Sequence, residues 1–229
     1  MPNAWMLGPL IIQRSFVFLA VSLLLGVILF QVLSPFSKSY VKQLTNELSS
    51  FFFAFVVSIW LAKIVVNIGT FMNDPRAVLA YPSNSNAFYL AFVFILPYSM
   101  LYVYRRNLNR NHIGIALFYV FILASIFYEF ANIVVDQNVA VHVIQLGILV
   151  VTLIVLLSSQ YFLTRLSLYI SITVFTIGYL IVASIFAQTH ILLYTVDTWF
   201  WIISLMVVSL LWLRLYLADI KTSNSKRWI

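Results

Sequence analysis

The chain has 229 residues, 63% of them hydrophobic and only 8% charged, with a mean hydropathy of +1.03 and a formal net charge of +7. Soluble domains carry roughly 25% charged residues, so composition excludes a soluble domain and requires an integral membrane protein. No cysteine is present, which excludes disulfides, thiolate metal sites, cysteine nucleophiles and cysteine-linked lipid anchors.

About 20 apolar residues at 1.5 Å each cross a hydrocarbon core of roughly 30 Å, and seven stretches meet that length. The first, 9–33, is longer than a signal-peptide core and has neither a basic region before it nor a small-residue cleavage pattern after it. A loop from Ser34 to Leu48 leads to the second span, 49–70. The segment "MNDPRAVLAYPSNSNAF" follows, its two prolines and Ser/Asn cluster predicting an ordered re-entrant or surface connection. Spans three and four cover 87–104 and 114–135. Apolar character then runs almost unbroken from Val139 to Ala187, too long for one membrane helix, and the polar "SSQYFLTRLS" predicts a turn between spans at 139–162 and 166–188. The seventh covers 195–217. Barrel-type alternation is missing and lipid offers no partner to a bare backbone, so the expected fold is all-α, one polytopic seven-helix domain over residues 1–229.

With the N-terminus outside, inner segments hold Lys38, Lys42, Arg105, Arg106, Arg110, Arg165, Arg214, Lys221, Lys226 and Arg227, and outer loops hold Arg76. This bias predicts an outside N-terminus and an inside C-terminus. It accounts for the net charge as a topology signal with attraction to anionic phospholipid, and no nucleic-acid motif accompanies it. Trp5, Tyr81, Trp199, Trp201 and Trp228 fall near span ends, where aromatic belts form.

Several polar side chains lie inside the spans. Counting about 1.5 Å per residue from its inner edge, Lys63 sits about 21 Å up span two, with Asn67 one turn beyond. Glu129 reaches nearly the same height on span four, between Ser125 and Asn132. Arg14, Tyr89, His142 and Gln145 occupy the outer parts of spans one, three and five. Ionisable groups inside a membrane cost several kcal/mol and mark bundle interiors or wet cavities, so these residues predict a site open to the outer leaflet, with Lys63 pairing Glu129. The same pair could equally be a structural tie between two helices, Arg14 could snorkel to headgroups, and His142 could serve the interface. Asp136, His190 and Asp197 are placed at the outer boundary with no special role. Three histidines spread along the chain lack metal-ligand spacing, so neither a metal nor a cofactor is expected.

The order of motifs resembles prolipoprotein diacylglyceryl transferase. "LGPLIIQRSFVFLAVSLLLG" is similar to that family's opening helix, and "AKIVVNIGTFMNDPRAVLAYPSNSNAFY" to its second helix and the Asp-Pro loop before its third. "YRR" at 104–106 falls at its basic inner loop, "EFANIV" at its Arg-Leu-Gly-Asn-Phe-Ile signature, "HVIQL" at its His-Pro-Ser-Gln-Leu, and "FTIGYLIVA" at a Gly-Tyr helix that carries an arginine. The resemblance implies seven helices in a bacterial inner membrane, a phospholipid such as phosphatidylglycerol as partner, and a lipoprotein or membrane-protein partner. Asn132, His142 and Gln145 match family positions. The departures fall on the reactive residues: Tyr89 follows Phe88 where the family has a histidine, Glu129 replaces the signature arginine, Ala183 replaces the late arginine, and the outer head region is reduced to a few residues.

An anionic lipid substrate requires cations to clamp its phosphate. At an effective dielectric near 20, a unit charge about 4 Å away is worth about 4 kcal/mol, so a carboxylate in the arginine's place opposes that reaction. The expected function is a non-catalytic protein that binds a lipid, a lipoprotein or a membrane partner. The alternatives are a diverged lipid-modifying transferase at the outer leaflet, with Glu129 or His142 as general base and Arg14 or Lys63 on the headgroup, and a small transporter.

Overall fold

The computed structural model describes residues 4–7, 10–80, 84–135, 139–158, 164–186 and 188–226. Tyr81, Asp136, Arg227, Trp228 and residues 159–163 of the turn predicted within 158–167 lie outside them. Among the described residues, seven helices are long and apolar enough to cross a membrane, and the protein is an all-α, multi-pass membrane protein. These are α1 (Arg14–Leu33), α2 (Lys38–Val66), α5 (Ser85–Arg105), α6 (Arg110–Val135), α7 (Val139–Ser158), α8 (Thr164–Phe186) and α9 (Thr198–Lys226). Two six-residue helices, α3 (Ile68–Asn73) and α4 (Pro75–Ala80), fill the connection predicted to be ordered.

Local chemistry sets the ends. The helix α2 begins eleven residues before the expected span, because Val41, Leu44 and Leu48 recur at helical spacing and are buried against the core. It stops at Asn67, which leaves helical geometry at φ −118°, ψ 34°. Asn84 caps α5 by accepting a bond from the Ala87 N–H at 3.0 Å. At the other end of α5, Asn107 takes a left-handed φ of 50°. Its N–H donates to the Tyr104 carbonyl, and that of Leu108 to the Val103 carbonyl, the paired bonds of a Schellman stop. Asn109 then starts α6 by accepting from the N–H groups of Asn111 and His112. Polar "NLNRN" is thus a complete stop-and-restart signal.

Two antiparallel hairpins depart from the expected pattern. Strand β1 (Ala4–Leu7) precedes the expected first span and β2 (Leu10–Gln13) takes its first residues, and β3 (Gln188–Ile191) and β4 (Tyr194–Asp197) occupy the edges of spans six and seven. The two-residue turn of the second hairpin is Leu192-Leu193, with Leu192 at φ 51°. Such turns select Gly, Asn or Asp, and two leucines give no turn signal in the sequence. A leucine in that region carries about 1–2 kcal/mol of strain. Leu192→Gly is therefore expected to raise the unfolding midpoint slightly, by up to about 1 kcal/mol of stability, in a thermal melt of the detergent-solubilised protein.

The central helix is α6: its most apolar window is 61% buried, against 11–33% for the other spans. It packs against α1 on one side and α7 on another; α7 in turn packs on α8, α8 on α9, and α2 on α5. Lipid tails are as apolar as leucine, so helices associate through close packing of small residues. The α1–α6 seam follows this rule at Gly26 and Ala124, and the α2–α5 seam at Ala62, Ala87 and Ala91, all three fully buried. One core cluster joins Phe30, Leu44, Phe51, Tyr119 and Leu156; a second gathers Phe88, Ile122, Leu149, Phe175, Tyr179 and Trp201 toward the β3–β4 end.

Candidate functional site

The C-terminal part of α6 packs against the N-terminal part of α7. Glu129 lies six residues before the end of α6, and His142 three residues into α7. The Glu129 Oε2 and His142 Nδ1 atoms are 2.6 Å apart, with the carboxylate side chain 1% and the imidazole 7% exposed. A short hydrogen bond therefore joins two ionisable groups in the bundle interior. One helical turn further on, Gln145 is fully buried and its Nε2 donates to the His190 backbone carbonyl at 3.2 Å.

The β3–β4 hairpin closes over this pair. The His190 ring stacks on that of His142, with centroids 5.5 Å apart and planes 25° apart. Next to it, Thr189 is buried; its hydroxyl donates to the Val196 carbonyl and accepts the Trp201 indole N–H at 2.7 Å. Trp201 packs on Tyr179 at 4.8 Å, and Tyr179 lies within electrostatic reach of Glu129. Hairpin, α8 and α9 therefore form one wall of the site. Among the described residues, no group of three or more His, Asp or Glu side chains has metal-binding geometry.

The expected pair of Lys63 with Glu129 is corrected: among the described residues the carboxylate's ion pair is with His142. Lys63 is buried on α2, where Asn67 Nδ2 donates to its backbone carbonyl at 2.9 Å. The physical reason is azimuth. Counting residues gives the height of a side chain in the membrane, whereas α2 packs chiefly on α5 and the Glu129 face of α6 meets α7.

Of the predicted site residues, Glu129, His142 and Gln145 come together, and Asn132 is half-buried one turn from Glu129. Arg14 opens α1 with its guanidinium over the Phe18 ring at 5.8 Å. Tyr89 belongs to a different junction. Its hydroxyl donates to Asp197 Oδ2 at 3.0 Å and accepts the Asp197 N–H at 2.9 Å, with its ring against Trp199 and Phe200. Tyr89→Phe removes both bonds and is expected to cost about 1–2 kcal/mol, read as faster amide hydrogen exchange over residues 188–197.

Sequence reasoning missed His190, Thr189, Tyr179 and Trp201. Only the hairpin turns His190 back over α7, and its Leu-Leu turn leaves no trace in the residue pattern. No protein-family model, no curated protein and no solved structure matches the chain.

Proposed function

We propose that the protein is a non-catalytic membrane protein that holds a lipid, or the lipid-bearing end of a membrane partner, in a bundle similar to that of prolipoprotein diacylglyceryl transferase, in a bacterial cell membrane with its N-terminus outside. The 2.6 Å contact between Glu129 and His142 carries this reading. Phosphatidylglycerol transfer needs positive charge at the position that Glu129 occupies. Whether its proton rests on nitrogen or on oxygen, a carboxyl–imidazole pair has no net charge, so it offers a phosphate no clamp. The Arg14 guanidinium lies over the Phe18 ring at 5.8 Å.

Complementation of a strain lacking the diacylglyceryl transferase tests this reading. No growth is expected, and growth at wild-type rate would overturn it. Native mass spectrometry of the gently extracted chain is expected to find a retained phospholipid.

One observation favours a second reading. A carboxylate on His142 Nδ1 is how an orienting acid fixes a general base, so a diverged lipid transferase would use the same two residues. Lipid turnover that disappears in Glu129→Gln while lipid retention persists would select it.

A further inference from the structure

Below the Glu129–His142 contact lies a second polar rung. Ser125 is one turn back along α6 from Glu129, and Gln145 one turn on along α7 from His142. With the two helices running antiparallel about a 2.6 Å contact, these two residues come to nearly the same level of the seam. Both are buried, at 3% and 0% exposure. Among the described residues, Ser125 Oγ and Gln145 Oε1 have no hydrogen-bond partner.

Neither orphan is ordinary. A serine or threonine inside a helix relieves its hydroxyl by bonding the carbonyl four residues back. Thr45, Ser58, Thr152, Thr173, Thr176 and Ser204 all do so. Ser125 forgoes that bond, as does Ser171 on α8. The orientation of the Gln145 amide is dictated by the His190 carbonyl, which can only accept, so Nε2 must face it and Oε1 is left demanding a donor. An unmet buried polar group costs about 1–3 kcal/mol; one turn from the Glu129 carboxyl, the Gln145 oxygen calls for a donor, and the Ser125 hydroxyl, which both donates and accepts, has room to accept one.

We infer that the Ser125–Gln145 rung and Glu129 together bind a primary ammonium group, that of an amino-headed phospholipid such as phosphatidylethanolamine. Three donors on one nitrogen match three oxygens. Where the proposed function has a lipid of unspecified headgroup, this inference, which rests on that reading, names the headgroup. The carboxylate lies about 9 Å from the end of α6 at 1.5 Å per residue, within reach of the headgroup region.

The test is competition by native mass spectrometry of the full chain in micelles holding equal amounts of dioleoyl phosphatidylethanolamine, phosphatidylcholine and phosphatidylglycerol. The ethanolamine lipid is expected to be retained about fivefold over the choline lipid, whose methylated nitrogen has no N–H; fivefold is the discrimination of a single hydrogen bond. Ser125→Ala, which removes one oxygen and leaves the packing in place, is expected to erase most of that preference, as is Gln145→Met. In lipid-depleted micelles, glycerophosphoethanolamine is expected to raise the melting midpoint of the native chain and not that of Ser125→Ala. Equal retention of ethanolamine and choline lipids, a preference that survives Ser125→Ala, or the same midpoint shift in both proteins would overturn the ammonium site while leaving lipid binding intact. Retention of no lipid at all would overturn both.

Discussion

Glu129→Leu is expected to destabilise the protein by about 3–5 kcal/mol, the cost of breaking a buried ion pair from one side. His142→Leu alone is expected to cost a similar amount, because it strands a carboxylate that is 1% exposed beside Tyr179. The double variant removes both polar groups, so it should lose much less than the sum of the two, leaving a coupling energy of about 1.5–3 kcal/mol. Equilibrium unfolding in mixed micelles reads all three, and additive losses would show that the contact contributes nothing as a pair. Lys63→Met supplies the control. Combined with Glu129→Leu it should be additive within about 0.5 kcal/mol, because the lysine belongs to the α2 side of the bundle. Strong coupling there would restore the pairing that depth alone suggested.

Among the described residues, Gly26 is expected to be the least replaceable glycine. A Cβ built on it falls 3.0 Å from the Ala124 nitrogen and 3.0 Å from the Val120 carbonyl oxygen. Both are backbone atoms of the central helix and cannot turn aside as a side chain can. Gly26→Ala is expected to cost about 1–3 kcal/mol, the usual range for overpacking, and Gly26→Val more, with loss of folded yield as the visible result. Gly69 and Gly147, whose added Cβ atoms meet nothing within 4 Å, are the controls. Their alanine variants should be neutral or slightly stabilising, since alanine favours helix over glycine by about 1 kcal/mol. At Gly178 the obstacle is the Ile148 side chain, 2.5 Å from the added Cβ. A Gly178→Ala loss should therefore be partly recovered by Ile148→Ala, whereas no single side-chain change recovers Gly26→Ala.

The two sets of variants probe different contributions to one bundle. Close backbone approach at Gly26 fixes where α6 stands relative to α1, and α6 carries Glu129 to α7. A shift of that helix would separate a contact only 2.6 Å long. Packing variants at Gly26 are therefore expected to weaken lipid retention as well as stability, whereas Ser125→Ala, which removes an unmet buried hydroxyl, should change headgroup preference without lowering stability.

The sequence by itself determined the class of the protein and the number of spans, because burial of the backbone in lipid leaves helices of a fixed minimum length as the answer to so apolar a composition. It also placed Glu129, His142 and Gln145 inside the spans and left the break between spans three and four at 105–113, where the chemistry of the stop and restart is local. Partnership was a different matter. Which groups at one depth face each other depends on the rotation of each helix about its axis, and that rotation is set by contacts such as Gly26 on Ala124 between segments about 100 residues apart. The hairpin that lays His190 over His142 was equally hidden, since a Leu-Leu turn held in left-handed geometry is stabilised by its tertiary surroundings and not by its own residues. Tertiary structure alone therefore decided that the carboxylate belongs to a histidine, and that two buried oxygens beside it lack donors.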